Sequence, residues 1–200
     1  MKTAVILSAR KERDTDIPYP LQSFGRGLCL LDRTLAILRD NGIEKIVLVV
    51  GYRSELFQRY SEQGLIIVVN DDYQFTASMA SLALAAPYID EDFLLVESDT
   101  FYERTVVEQL IASPKRNCLS VTDESGNGDE AFVEVCNGCV CKITKDRHQI
   151  CNIEGEMIGI SKLSLDTYRV MLAKFAGTSN RYVNYEYLFV DSTDAVERPY

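Results

Sequence analysis

Basic side chains stand close together near the start of the chain, at Arg10, Lys11 and Arg13. They follow segment 3–8, whose continuous apolar composition is typical of a buried strand. Arginine and lysine bind phosphate through charge-assisted hydrogen bonds, so the cluster predicts a phosphate-binding loop at the end of a strand. A solvated charged loop has the same composition, and that alternative stays open on these residues alone.

An acidic residue, Asp99, stands at the corresponding point after the apolar segment 93–97. A carboxylate at the end of a strand is suited to hold Mg²⁺, which proteins bind through one or two carboxylates together with phosphate oxygens. Glu97 lies two residues earlier on the same face of the strand and adds a second acidic group. The alternative role for Asp99 is a turn or a helix cap, because a helix could start within residues 100–110.

The chain as a whole carries more acid than base. Its 200 residues include 21 Lys and Arg against 30 Asp and Glu, which gives a net charge of −9. Such a surface repels phosphate backbones and argues against nucleic-acid binding, although a local basic pocket can still hold a small phosphorylated ligand. No apolar run reaches the ~18 residues of a membrane span, and the N-terminus lacks a signal-peptide pattern. We therefore expect a cytoplasmic protein without membrane contacts, and its oligomeric state stays open.

The six cysteines raise the question of metal binding. Cys136, Cys139 and Cys141 lie close together, and clustered cysteines also occur in zinc sites. Asn137 and Gly138 separate the first two, and Asn-Gly between alternating apolar residues is a strong hairpin signal. We therefore predict a β-hairpin whose cysteines are structural thiols, with a zinc site as the alternative.

The elements that must position these groups alternate between strand and helix in the first half of the chain. The pattern predicts strands at 3–8, 45–50, 65–70, 93–97, 118–122, 131–135, 139–144 and 157–162, and helices at 30–41, 54–62, 76–86, 165–175 and 182–189. This order predicts an α/β fold in one domain, residues 1–200: a mixed, mainly parallel, doubly wound sheet with helices on both faces and an inserted β-hairpin. Ligands bind such sheets at the carboxyl ends of the strands, where the basic loop and the acidic pair are expected.

Several segments, in this order, resemble the nucleotidyltransferases that make nucleotide-sugars and CDP-alcohols, and most of all the CTP:phosphocholine cytidylyltransferase branch. The segments are AVILSARKER, DIPYPL, LDRTLAILRDNGIEKIVLVVGY, VVNDDYQFTASMASLALA, FLLVESDTFY, GEMIGISKLS and VNYEYLF. The resemblance covers nearly the whole chain and implies a nucleotide-diphospho-sugar transferase-like fold. It also implies transfer of a nucleoside monophosphate from an NTP, with CTP favoured, onto a small phosphorylated or phosphonylated acceptor with release of pyrophosphate. Candidate acceptors are phosphocholine, aminoethylphosphonate and a sugar 1-phosphate.

The resemblance further implies roles for particular residues. Those expected to be catalytic are Lys11, Arg13 and Asp99, with Asp99 as the ligand of Mg²⁺. Those expected to contact the nucleotide are Leu7, Ser8, Ala9, Arg10, Ser78 and Ser81. Those expected to contact the acceptor are Glu154, Glu156, Tyr185 and Glu186, an acidic and aromatic group that would attract an ammonium ion. Simple capping by the two serines, and a solvated face with core tyrosines for the last group, are the alternatives.

The chain departs from the family pattern at a few positions. Arg10 and Glu12 occupy positions where the family usually has glycine, and Tyr19 replaces a lysine that normally meets phosphate. The basic side chains would then supply the charge that backbone N–H groups supply elsewhere. Family members also usually continue beyond the equivalent of Tyr200 into a segment with a second metal carboxylate. The missing glycines and Tyr19 support the alternative of a non-catalytic nucleotide-binding module that kept the fold.

Overall fold

The computed structural model describes residues 1–11, 15–23, 25, 27–126 and 128–193. The strands are β1 (Thr3–Ser8), β2 (Lys45–Val50), β3 (Ile66–Val69), β4 (Phe93–Glu97), β5 (Cys118–Thr122), β6 (Phe132–Cys136), β7 (Cys139–Thr144) and β8 (Gly155–Leu163). The α-helices are α1 (Leu30–Asp40), α2 (Ser78–Leu84), α3 (Arg104–Ala112), α4 (Leu165–Ala176) and α5 (Tyr185–Ser192). The 3₁₀ helices are Tyr19–Leu21, Ser54–Gln63, Tyr73–Phe75, Ala86–Tyr88 and Arg147–Gln149.

The strands form one mixed sheet in the order β3-β2-β1-β4-β8-β6-β7, with β5 also pairing with β8. β1 is parallel to both β2 and β4, and β2 is parallel to β3. β8 runs antiparallel to β4, β5 and β6. The predicted α/β class is therefore confirmed, with the parallel strands in one half of the sheet and an antiparallel half built around β8.

Helices cover both faces of the sheet, which explains the continuous apolar sequence of its central strands. All six residues of β1 are buried, because alternate side chains enter cores on opposite faces. One core packs the sheet against α1, α3 and the 3₁₀ helix Ser54–Gln63. The other packs it against α2, α4 and α5. Among the described helices, none is long and apolar enough to cross a membrane.

The predicted elements differ from the structure mainly at their ends. Segment 54–63 is a 3₁₀ helix rather than an α-helix, and it lies between two left-handed residues, Arg53 and Gly64. The helix predicted at 76–86 stops at Leu84, and a separate 3₁₀ turn with Pro87 follows it. The helix predicted at 182–189 starts at Tyr185, because the carbonyls of Arg181 and Val183 accept the N–H groups of Ala77 and Met79 and hold the preceding backbone against the start of α2.

The hairpin between β6 and β7 is confirmed, but its cysteines are not all thiols. Asn137 and Gly138 have φ of 54° and 77°, as the predicted turn requires. Cys136 and Cys141 form a disulfide, with Cα atoms 5.7 Å apart, which corrects the prediction of free thiols at these two positions. Cys139 is the direct neighbour of Cys136 in the register, but a bulge leaves Cys141 as an extra residue of β7 and brings it within reach.

The other cysteines are free in the structure: Cys29 and Cys118 are buried, Cys139 is half-buried and Cys151 is exposed. Within the described ranges, no group of three or more His, Cys, Asp or Glu side chains is placed to hold a metal ion.

An ionic contact ties together the elements at the amino end of β4. Arg116 donates hydrogen bonds of 2.9 and 2.8 Å to Asp92 and one of 2.9 Å to Asp166. Asp92 also accepts the N–H of Leu165, at 2.9 Å. The hydrogen bond from Arg116 lowers the pKa of the Asp92 carboxyl below its usual value, against the opposing effect of burial. The ionised carboxylate therefore joins β4, the start of β5 and the start of α4.

We expect Asp92→Asn to lower the free energy of unfolding by about 1 kcal/mol near neutral pH, a modest value because solvent screens the half-exposed Arg116. Since the folded pKa is lowered, the stabilisation is present above the pKa of unfolded aspartate and is lost as pH falls through the folded pKa. Urea unfolding from neutral to acid pH should show the difference between variant and wild type shrinking in acid. A difference that stays constant throughout would contradict this role. Asp166→Asn, which leaves the Asp92 contacts in place, is the control and should cost less.

Candidate active site at the carboxyl edge of the sheet

A cavity of about 490 Å³ lies at the carboxyl ends of β1 and β4. Its walls come from the loop after β1, the start of α2, the middle of β8 and the start of α5. Neighbouring parallel strands end at the same edge of the sheet, and the side chains that follow them therefore meet there. The structure thus places the cavity where the topology predicts a ligand site.

The residues predicted to contact the nucleotide all line this cavity. They are Leu7, Ser8, Ala9, Arg10, Ser78 and Ser81. The Ser8 hydroxyl is buried and has no hydrogen-bond partner among the described residues, so it is available to a bound molecule. Of the predicted catalytic loop residues, Lys11 is exposed and lies beside Tyr52, whereas Arg13 lies outside the described residues.

The two serines at the start of α2 do not cap that helix. Its N-cap is Ala77, which makes no side-chain capping bond. The Ser78 hydroxyl instead accepts the N–H of Tyr185 at 3.0 Å and so joins α2 to α5. Ser81 is buried and accepts a hydrogen bond of 2.9 Å from the Asn70 amide. The capping alternative is therefore wrong, and both side chains have defined positions in the cavity wall.

Carboxylates gather at the end of β4. Glu97 and Asp99 both line the cavity, and an Arg10 nitrogen lies 3.6 Å from Asp99 Oδ2. Burial raises the pKa of Glu97 to about 7, and the negative charges of Asp99 and Glu186 act in the same direction. Glu103, not Asp99, is the N-cap of α3, so the capping alternative for Asp99 does not hold. Negative charge concentrated at this depth favours the binding of a cation.

Gly159 on β8 makes room for Glu97. Its φ is +70°, and a Cβ atom built there would lie 3.0 Å from the Cβ of Glu97 and 3.1 Å from its Cγ and Cδ. The Glu97 side chain therefore lies directly against the backbone of β8. The Tyr185 hydroxyl, fully buried, approaches the Glu97 carboxyl from α5 and opposes the rise of its pKa, although it does not reach full hydrogen-bond geometry.

The residues predicted to contact the acceptor are only partly brought together. Glu156 and Glu186 line the cavity, and Glu156 also accepts the N–H of Ser125 at 2.9 Å. Tyr185 lies behind the wall rather than in it. Glu154 is exposed and lies outside the lining.

The sequence prediction overlooked Lys145, which lines the cavity with its ion-pair partner Asp129. Their nitrogen and oxygen atoms are 2.7 Å apart. Burial acts to lower the pKa of Lys145, but the hydrogen bond and charge of Asp129 raise it above its usual value, so the lysine stays cationic. Lys145 directly follows β7, just as the basic loop follows β1. A basic residue directly after a predicted strand was therefore the sequence signal that could have identified Lys145.

The sequence of this chain matches a known family. Residues 5–149 match the sequence profile of the MobA-like NTP transferase domain, and the chain belongs to that family.

Particular relatives agree with this membership. Over 110 residues the chain is 32% identical to the CMP-5'-(3-aminopropyl)phosphonate synthase of Streptomyces rubellomurinus, an alignment that covers 52% of this chain and 17% of that protein. The inositol-1-phosphate CTP transferase of T. maritima superposes with a TM-score of 0.79 at 21% identity, over 100% of this chain and 84% of the other. The CTP:phosphocholine cytidylyltransferase of Streptococcus pneumoniae superposes with a TM-score of 0.68 at 19% identity, over 98% and 86%. Both superpositions confirm the fold.

We expect Gly159→Ala to destabilise the protein by more than Gly64→Ala does. Both replace a left-handed glycine, at a cost of about 1–2 kcal/mol, but a Cβ at Gly64 meets nothing within 4 Å. At position 159 the added methyl also presses on Glu97, which should add about 1–3 kcal/mol. Urea unfolding of both variants measures the difference.

The double variant of Gly159→Ala with Glu97→Ala tests whether the added methyl group clashes with the Glu97 side chain. The shortened side chain should recover part of the extra cost, because the Cγ and Cδ contacts disappear. Equal destabilisation by the two glycine variants, or no recovery in the double variant, would show that Gly159 does not make room for Glu97.

Proposed function

We propose that the chain is a nucleotidyltransferase that moves a cytidylyl group from CTP to a small phosphorylated or phosphonylated acceptor, with release of pyrophosphate. The observation that carries the proposal is the composition of the cavity at the carboxyl ends of β1 and β4. It combines the basic loop residue Arg10, the carboxylates Glu97 and Asp99, and a second cation, Lys145. A reaction that joins two phosphorus-containing molecules needs cations for both of them and carboxylates for a metal ion between them.

CTP is the favoured donor because of what the relatives do. The aminopropylphosphonate relative makes a CMP product, and both superposed proteins are named for their use of CTP. The chain spans only 17% of the length of the first relative, so that protein's activity supports a proposal about this chain and goes no further.

The proposed reaction needs no general base. An oxygen of the acceptor phosphate or phosphonate attacks the α-phosphorus of CTP, and the bond from that phosphorus to the pyrophosphate oxygen breaks. The attacking oxygen is already anionic, so catalysis consists of alignment and charge neutralisation. Arg10 and Lys11 would bind the triphosphate, while Ser8, Ser78 and Ser81 would face the nucleoside.

The donor set at the end of β4 suits Mg²⁺. Asp99 with Glu97 offers hard carboxylate oxygens, and Mg²⁺ takes its remaining ligands from water and phosphate. In the described part of the chain these two carboxylates are not joined by a third ligand, so oxygens of the nucleotide would complete the coordination. When bound, the ion screens the charge of the reacting phosphates.

Other residues of the cavity lining suit an acceptor that carries both charges. Lys145 would bind a phosphate or phosphonate, and Glu186 and Glu156 would attract an ammonium group. Phosphocholine and aminoethylphosphonate have this zwitterionic character, and a sugar 1-phosphate does not. We therefore favour an aminoalkyl acceptor.

The alternative is a module that binds the nucleotide without turning it over. Its support is Arg10, which occupies a position where the family usually has glycine. Arg10 also pairs with Asp99, so the carboxylate would not bind a metal ion alone. Binding without turnover is the result that would favour it.

The proposal is tested by crossing the four NTPs with the three acceptors in the presence of Mg²⁺ and measuring pyrophosphate. CTP with an aminoalkyl phosphate or phosphonate should react fastest. Asp99→Asn should lower that turnover by more than about tenfold, because one carboxylate ligand of the metal ion is lost. Asp90→Asn, an exposed aspartate outside the cavity, is the control and should stay near wild type. If the protein binds a nucleotide but no pair of NTP and acceptor releases pyrophosphate, the proposed transferase activity is refuted.

Lys145→Met should raise the KM for the acceptor by about tenfold or more, since one charge-assisted hydrogen bond contributes roughly 1.5–3 kcal/mol. The KM for CTP should change little, because we assign the triphosphate to Arg10 and Lys11 rather than to Lys145. Lys142→Met is the control, because Lys142 lies on β7, the strand that Lys145 directly follows, and bonds the Gln149 carbonyl outside the cavity. Steady-state kinetics with each substrate varied in turn decides the matter. An unchanged acceptor KM would remove Lys145 from the acceptor site.

A further inference from the structure

Tyr52, which follows β2 after Gly51, contacts the chain on both sides of residues 12–14. Its N–H donates to the Ala9 carbonyl at 2.9 Å, and its hydroxyl donates to the Thr15 carbonyl at 3.3 Å. Between these bonds, the Lys11 ammonium lies 5.2 Å from the centre of the Tyr52 ring. The Tyr52 backbone therefore holds the chain at Ala9, and its side chain holds the chain at Thr15 and receives the Lys11 cation.

The residues on either side of Tyr52 bring it close to the loop. A Cβ at Gly51 would lie 2.6 Å from the Ala9 carbonyl oxygen, so only glycine lets the two backbones approach this closely. Arg53 has a φ of 54°, an unfavourable left-handed conformation for an arginine, and its Nε donates to the Asp16 carbonyl at 3.2 Å. Strain of this kind persists where the surrounding structure requires it, and it is common at ligand-binding sites.

Tyr52 also connects the loop to the wall of the cavity. Its ring centre lies 6.3 Å from that of Tyr73, with the ring planes tilted by 57°. Tyr73 lines the cavity, close to the start of α2. The aromatic pair thus stands between the basic loop and the residues that face the nucleoside.

The loop needs such support because it relies on side-chain cations. Arg10 and Lys11 are exposed, and a long cationic side chain loses rotamer entropy when a ligand fixes it. A cation held in advance on an aromatic face loses less on binding. A cation–π contact at an exposed site is enough to bias Lys11 towards one position.

We propose that Tyr52 is a positioning residue that holds Lys11 in place to bind the polyphosphate chain of the nucleotide. This rests on the proposed function only in taking the ligand to be a nucleoside triphosphate. Tyr52 acts through Lys11, so its effect on affinity should vanish when the lysine charge is absent.

The experiment is a calorimetric titration of inorganic tripolyphosphate, and separately of CTP, into wild type and variants. Tyr52→Leu should weaken tripolyphosphate binding about threefold to fivefold, the equivalent of one exposed cation–π contact. Tyr52→Phe keeps the ring and should stay closer to wild type than Tyr52→Leu. Tyr88→Leu, an exposed tyrosine outside the cavity, is the matched control and should leave affinity unchanged.

The decisive comparison uses Lys11→Met. If Tyr52 acts through this lysine, adding Tyr52→Leu to Lys11→Met causes no further loss, because the two effects are not additive. Fully additive losses would overturn the proposal. A generally weakened fold would instead lower affinity by the same factor with or without the lysine. Should Tyr52→Leu fail to fold, Tyr52→Met keeps the bulk without the aromatic face and takes its place.

Limited trypsin digestion gives a readout that needs no nucleotide. Cleavage after Lys11 should be faster in Tyr52→Leu than in wild type, and unchanged in Tyr88→Leu. Tripolyphosphate binding without transfer would refute the proposed function and leave the role of Tyr52 standing. A wild type that does not bind tripolyphosphate, or a Tyr52→Leu variant with unchanged affinity, would refute the role of Tyr52 whatever the transfer assay shows.

Discussion

The pairing of β1 with β4 is the contact on which the rest of the site depends. It sets Leu7 opposite Glu97, so the basic loop that follows one strand and the carboxylates that follow the other emerge side by side. Burial on both faces of the sheet fixes this register, since a slip by one residue would turn every side chain to the opposite core. The electrostatic character of the cavity thus follows from apolar packing several residues away from it.

Much of this arrangement could be predicted from the sequence because it is local. Continuous apolar runs identified β1, β2 and β4, and the Asn-Gly pair identified the hairpin. The carboxyl ends of these strands then located Arg10 and Asp99. The family resemblance added the serines of α2, whose apolar pattern alone describes only a core helix.

What the sequence could not predict depends on distance in three dimensions. Lys145 reaches the cavity because β6 pairs with β8, a contact between segments with no shared sequence pattern. Gly159 has its role because the Glu97 side chain of β4 lies against the backbone of β8. The Cys136–Cys141 disulfide depends on a bulge in β7. Glu154 and Glu156 are only two residues apart in the chain, yet only Glu156 lines the cavity. The predicted ends of helices differ from those in the structure where local backbone contacts, rather than hydrophobic periodicity, determine where a helix begins or ends.

The antiparallel strand β8 lies between two different parts of the sheet. On one side lie the parallel strands with the basic loop, and on the other lies the hairpin that ends at Lys145. β8 itself carries Gly159 and Glu156, so it belongs to both sides. Substitutions in the hairpin and its loops therefore leave the hydrogen bonds of the parallel half in place. Under the proposed function, the acceptor side of the cavity could change while the nucleotide side is kept.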